Sequence, residues 1–148
     1  MGFCIAALAK LKVVAAKVMK NGQPLDQDPL FAARMAQVEI DLENMKTTNL
    51  RVIAAVAGGG VPGAESSMLK IRGTEIRQEI LSLVRRAMGP YAAPFIEEAL
   101  QAGYDQPAIG DAAAATAAAA YFNYRKLSIF GGSNEIQKNI ISKMILGL

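Results

Sequence analysis

The sequence predicts an all-α protein, an antiparallel helical bundle formed as one domain over residues 1–148. Three observations predict it. Apolar residues recur every three to four positions along most of the chain. Glycine, proline and helix-capping residues cluster between those periodic segments. No segment alternates apolar and polar residues for long enough to make a strand, so no sheet is expected. With 148 residues, 52% of them apolar, the chain has enough material for one core.

Five helices follow in order. The first spans residues 2–20, with Ile5, Leu8, Leu11, Ala15 and Val18 on its apolar face; Asn21-Gly22 stops it and Pro24 delays the next. Asp28 caps the second, over 29–57, with Pro29 in its first turn. Its stripe is Phe31, Met35, Val38, Leu42, Met45, Val52 and Val56, the seam spacing of packed antiparallel helices. Asn49 takes the missing stripe position, either as a buried polar residue that fixes register or as a ligand contact. The third helix covers 65–88, carries Met68, Leu69, Ile76, Ile80, Leu83, Val84 and Ala87, and ends at Gly89-Pro90. A short helix is expected over 94–102, closed by Gly103. Asp111 caps an alanine run that continues as a fourth helix over 112–130, since alanine has the best intrinsic helix propensity. Ser133 caps the last, over 134–146, with Ile136, Ile140, Ile141 and Ile145 toward the core.

Composition excludes several kinds of chemistry. There is no histidine, so zinc sites of the usual kind, Ser-His-Asp triads and Cys-His dyads are excluded within the chain, and no metal site is expected. The single cysteine, Cys4, allows no internal disulfide and fits a reducing compartment. The apolar run Gly2–Ala9 is far short of the ~20 residues of a membrane helix. The expectation is a soluble cytoplasmic protein. A net charge of +3 with dispersed basic residues is too weak for nucleic acid. One cationic cluster stands out: Lys10, Lys12, Lys17 and Lys20 have no acid among the first twenty-five residues. That cluster is a solvated helix face, or it sits beside an acidic partner or a phosphate-bearing ligand. The loop Gly58-Gly59-Gly60-Val61-Pro62-Gly63 has no preceding strand and no Gly-Lys-Ser, so it reads as a helix connection and not a phosphate cradle.

The densest motif is Ile129-Phe130-Gly131-Gly132-Ser133-Asn134-Glu135-Ile136-Gln137-Lys138-Asn139-Ile140-Ile141. It resembles the signature of the acyl-CoA dehydrogenase family, an aromatic-to-glycine turn followed by Thr/Ser-x-Glu-Ile-Gln and an aliphatic helix. Ser67-Met68-Leu69-Lys70, with Glu75 beyond, resembles the family's Ser-Met-x-Lys helix about sixty residues upstream. The likeness runs over essentially the whole chain and is to the family's C-terminal helical domain. It implies an FAD-dependent oxidoreductase that oxidises an acyl-CoA thioester across its α and β carbons. A carboxylate takes the α-proton while FAD accepts hydride from the β carbon. It also implies that Ser133 and Glu135, with Asn134 between them, contact FAD. Gly131 and Gly132 would let backbone approach the substrate, because glycine has no Cβ and tolerates positive φ. The helix N-terminus that follows suits an anion such as the flavin pyrophosphate.

The chain departs from the family in three places. Where many members carry the catalytic glutamate after the turn's aromatic residue, this chain has Gly131, and no carboxylate precedes Asp26 on the first helix, where other branches carry it. No catalytic residue is therefore assigned within the chain. The Arg-x-x-Phe-Gly stretch is replaced by Met19-Lys20-Asn21-Gly22-Gln23-Pro24. The Gln-x-x-Gly-Gly-x-Gly turn is replaced by Arg86-Ala87-Met88-Gly89-Pro90-Tyr91. The family's N-terminal helical domain and middle β domain are not represented. The chain is then expected to be a truncated product, an excised domain or a short subunit, inactive alone and binding FAD weakly or not at all. Its expected partners are other copies of itself or the missing domains. The alternative reading is a non-catalytic helical assembly module with the same fold.

Overall fold

The computed structural model describes residues 1–107 and 109–148. It is an antiparallel bundle of five helices: α1 (Gly2–Lys17), α2 (Pro29–Ala57), α3 (Glu65–Met88), α4 (Ala114–Asn123) and α5 (Asn134–Leu146). α3 is the axis, with α1, α2, α4 and α5 all packed around it. Its Ile76, Ile80 and Leu83, with Leu11 of α1, are the largest fully buried side chains. Burying an aliphatic side chain of that size stabilises the fold by roughly 1.5–3 kcal/mol each. Phe31, Val38, Leu42 and Met45 of α2 complete the core from the other side.

The boundaries of α2 and α3 agree with those expected from sequence. Asp28 accepts a hydrogen bond from the Phe31 amide at 3.0 Å, and Pro29 occupies the first turn as predicted. Ser133 likewise accepts from the Ile136 amide at 3.4 Å and starts α5.

Several expectations are corrected. A sheet is present, although minimal: Met19–Lys20 pairs antiparallel with Gln23–Pro24, and α1 stops at Lys17. The cause is Asn21-Gly22, whose φ values of 53° and 81° suit a two-residue hairpin turn with both central residues at positive φ. The stretch 94–102 contains only a 3-10 turn at Glu98–Leu100 with no buried residue, so nothing anchors a longer helix there. The fourth helix is shorter at both ends. Asp111 accepts from the Ala113 amide through its carboxylate at 2.8 Å and from the Ala114 amide through its carbonyl, a capping turn that precedes α4, which runs from Ala114. After Asn123 the backbone tightens into a 3-10 segment, Tyr124–Ser128, whose carbonyls are taken by α3 side chains as described below.

Two apolar faces point outward. No residue of α5 is buried; Ile136 is 52% exposed and Ile145 68%. Of the four isoleucines expected toward the core, Ile136, Ile140 and Ile145 are exposed and only Ile141 is half-buried, so most of that face is uncovered among the described residues. The α2 stripe leaves the core after Met45, and Val56 is exposed with its neighbours Leu50 and Ile53. Met68, expected among the apolar contacts of α3, is also exposed.

Candidate functional site

Three polar residues four positions apart, Lys70, Thr74 and Gln78, occupy one face of α3. Opposite them run the 3-10 segment and the glycine turn. Lys70 Nζ donates to the Leu127 carbonyl at 3.2 Å and to Asn134 Oδ1 at 2.9 Å. The Thr74 hydroxyl donates back to the Lys70 carbonyl at 2.9 Å. Gln78 Nε2 reaches the Tyr124 carbonyl at 3.2 Å and Ser128 Oγ at 2.8 Å. In a continuing α-helix those carbonyls would accept from amides four residues on. Here the segment tightens to 3-10 pairing, and side chains of α3 bond to those carbonyls as well. That arrangement ends the fourth helix early and holds the chain as it enters the turn.

The turn itself is left-handed. Gly131 has φ of 68° and Gly132 of 81°, values that a side chain makes costly. A Cβ at Gly132 would lie 2.6 Å from Gln137 Nε2, the group that donates to the Gly131 carbonyl. A Cβ at Gly131 would meet nothing. The position matching the family's glutamate is therefore spacious and conformationally restricted.

Beyond the turn, Ser133 and Asn134 are half-buried and Glu135 is exposed. The Glu135 carboxyl is held below its ordinary range, first by its own backbone amide and then by the Ser133 hydroxyl. The shift is toward the ionised form, and the side chain itself stands exposed in the first turn of α5. The turn leaves open space at Gly131, while Gln137 covers Gly132, Ser133 caps α5 and Asn134 Oδ1 accepts from Lys70.

Beside the turn lies a groove of about 540 Å³. Phe3 and Cys4 of α1, Asn49 of α2, Gly73 and Arg77 of α3, and Phe130 line it with Gly131. Asn49 is a wall of this groove, half-exposed, and not the buried register residue of one reading. Arg77 donates to the Phe3 carbonyl at 2.8 Å and stands over the Tyr124 ring at 4.7 Å. Burial pushes the Cys4 thiol up, which keeps it protonated and a poor nucleophile. Among the described residues no Asp or Glu lines the groove, and none form a His/Cys/Asp/Glu cluster able to hold a metal. The groove has apolar walls and cationic corners but no proton acceptor of its own.

Sequence reasoning placed Gly131, Gly132, Ser133, Asn134 and Glu135 together, and they are contiguous here. It gave no role to Lys70, Thr74 and Gln78, because on a helix as rich in charged residues as α3 a polar row at helical spacing does not stand out.

Residues 1–146 match the family described as acyl-CoA dehydrogenase, C-terminal domain. The chain belongs to the acyl-CoA dehydrogenase family. No curated protein matches it in sequence. Among solved structures it is similar to a chain in the crystal structure of the ChsE4-ChsE5 complex from Mycobacterium tuberculosis, with a TM-score of 0.72 and 23% identity. That match covers 98% of this chain and 35% of the other, so the chain spans about a third of the length of that relative. At this identity the likeness is one of fold. Members of the acyl-CoA dehydrogenase family generally bind FAD, and no described helix is long and apolar enough to cross a membrane.

Proposed function

We propose that this chain is the C-terminal helical part of an FAD-dependent acyl-CoA dehydrogenase, supplying flavin contacts and an assembly surface and no catalytic base. The observation that carries this reading is the Gly131–Asn134 turn, pinned to α3 by Lys70 and open on its outer side. Ser133 and Asn134 would hold the cofactor's polar edge, with Glu135 free to turn outward from the helix end. FAD, when bound, supplies the hydride acceptor. Gly131 and Gly132 would let an acyl-CoA thioester approach the backbone beside the apolar wall of the groove. The uncovered faces of α5 and of the end of α2 are the surfaces on which other domains or other copies would lie.

The experiment is a titration of the ¹⁵N-labelled chain with FAD, followed by amide shifts. The reading expects perturbations centred on residues 131–135 and their loss in Asn134→Ala. Shifts confined to another surface would sink it.

A second reading, a helical assembly module without cofactor, is favoured by Gly131 and by the absence of any carboxylate among the groove's described residues. No response to FAD, together with self-association, would select it.

A further inference from the structure

Charge is segregated along this chain. The first twenty-five residues hold four lysines and no acid. Between Arg86 and Arg125 there are four acids, Glu97, Glu98, Asp105 and Asp111, and no basic residue. The structure neutralises only half of the basic set. Lys12 pairs with Glu39 and Lys20 with Asp28, each at 2.6 Å, whereas Lys10 and Lys17 make no ion pair among the described residues. Both line a groove of about 470 Å³ between α1 and α4. Its floor is apolar and shallow, from Ile80 and Val84 of α3 to Ala117 and Ala120 of α4. Seven residues apart, the two lysines stand about 10 Å from one another along the α1 rim.

The acidic set is equally unsatisfied. Glu97, Glu98 and Asp105 make no ion pair among the described residues. They sit on a loop whose ends meet where the Tyr91 ring packs on Gly110. The loop also exposes Phe95, at 62%, and Leu100, at 53%. Asp111, where this loop enters α4, itself lines the lysine groove. The acidic loop and the basic groove therefore adjoin on one side of the molecule. A two-fold contact requires that arrangement, because each copy must offer both halves from the same face.

We propose that the α1/α4 groove receives the 95–105 loop of a second copy of this chain. Glu97 and Glu98 meet Lys10 and Lys17 across the contact, Phe95 and Leu100 cover the alanine floor, and the exchange is reciprocal. The proposal does not depend on flavin binding. Complementary charge selects the partner and its register, and the apolar pair supplies burial.

The test is sedimentation of the 148-residue chain at low and high salt. The wild type is expected to dimerise at about 50 µM and to weaken as salt screens the pairs. Lys10→Glu with Lys17→Glu, and separately Glu97→Lys with Glu98→Lys, should each weaken dimerisation at least about tenfold. Mixing the two variants should restore it, since every loop in the heterodimer then faces a groove of opposite sign. A monomeric wild type overturns the proposal. So does a dimer indifferent to both reversals, which would place the contact on the apolar faces of α5 and α2, and so does a mixture that fails to recover. None of these outcomes bears on the flavin turn, whose test is separate.

Discussion

Lys70 and Asn134 lie 64 positions apart in sequence and 2.9 Å apart in space. Their bond ties the central helix to the first residue of α5, across a turn of two glycines that has little rigidity of its own. The half-buried ammonium also holds the Leu127 carbonyl on the near side of that turn. One side chain therefore fixes both ends of the segment on which the functional reading rests.

Removing it should loosen the segment more than its size suggests. Lys70→Met is expected to cost about 1–3 kcal/mol, the range for charge-assisted hydrogen bonds lost from a partly buried site. A double-mutant cycle with Asn134→Ala should give a coupling of at least about 0.5 kcal/mol by urea denaturation. Strictly additive effects would show that the bond contributes nothing.

The two glycines should differ. Alanine at either position adopts positive φ, at about 1–2 kcal/mol. Gly132→Ala also crowds Gln137 and disturbs its bond to the Gly131 carbonyl, so its loss should exceed that of Gly131→Ala. Equal melting temperatures for the two variants would contradict the geometry.

How far these features were legible in the sequence depended on whether their causes were local. The limits of α2 and α3 were readable because Asp28, Pro29 and Gly89 stand at them and act on adjacent backbone. The early end of the fourth helix was not, because the groups that end it, Lys70 and Gln78, come from another helix. Alanine propensity alone argued for continuation through Phe130. The hairpin at Asn21-Gly22 was legible in principle, but the dipeptide was read only as a helix stop. The α5 isoleucines obeyed the right period, and periodicity does not say which molecule or domain covers a face. In the site, Gly131–Glu135 emerged from a motif, whereas the tie from Lys70 to Asn134 needed coordinates.

Asp28 gives the fold an acid-sensitive corner. Lys20, first, and then the Phe31 amide hold its carboxyl below the usual value of 3.8. A depressed folded pKa means that the ionised form is favoured by folding. Its stabilisation is thus complete above the unfolded value and disappears as pH falls through the folded one. Melting temperature should therefore decline below about pH 4, less steeply in Asp28→Asn, which keeps the cap and cannot ionise. A wild-type pH profile in the Asp28→Asn variant would assign the acid sensitivity to other carboxylates.

FAD should bind the chain weakly. The turn offers a few hydrogen bonds of about 0.5–1.5 kcal/mol each, against several kcal/mol of lost motion on association. Calorimetry is expected to find a dissociation constant no tighter than about 100 µM. Sub-micromolar affinity would mean that these 148 residues carry far more of the flavin site than the turn.

The chain alone should not turn over acyl-CoA. Abstraction of an α-proton needs a base within hydrogen-bonding reach and poised near neutral pH. Gly131 has no side chain, the groove beside it is lined by no described carboxylate, and its cations Lys70 and Arg77 are donors. Glu135 is the nearest acid in sequence, but its pKa is lowered, first by its own backbone amide and then by the Ser133 hydroxyl, which makes it a weaker base. An assay with FAD, a series of acyl-CoA substrates and an artificial electron acceptor should therefore show no rate above background. Activity abolished by Glu135→Gln would overturn both the inactivity and the positioning assigned to that residue. Activity that survives the substitution would require a base among the acids placed here outside the groove. If a longer chain or a complex containing this one is active, its base should come from beyond these residues, and replacing Glu135 by Gln there should leave the proton-transfer step intact.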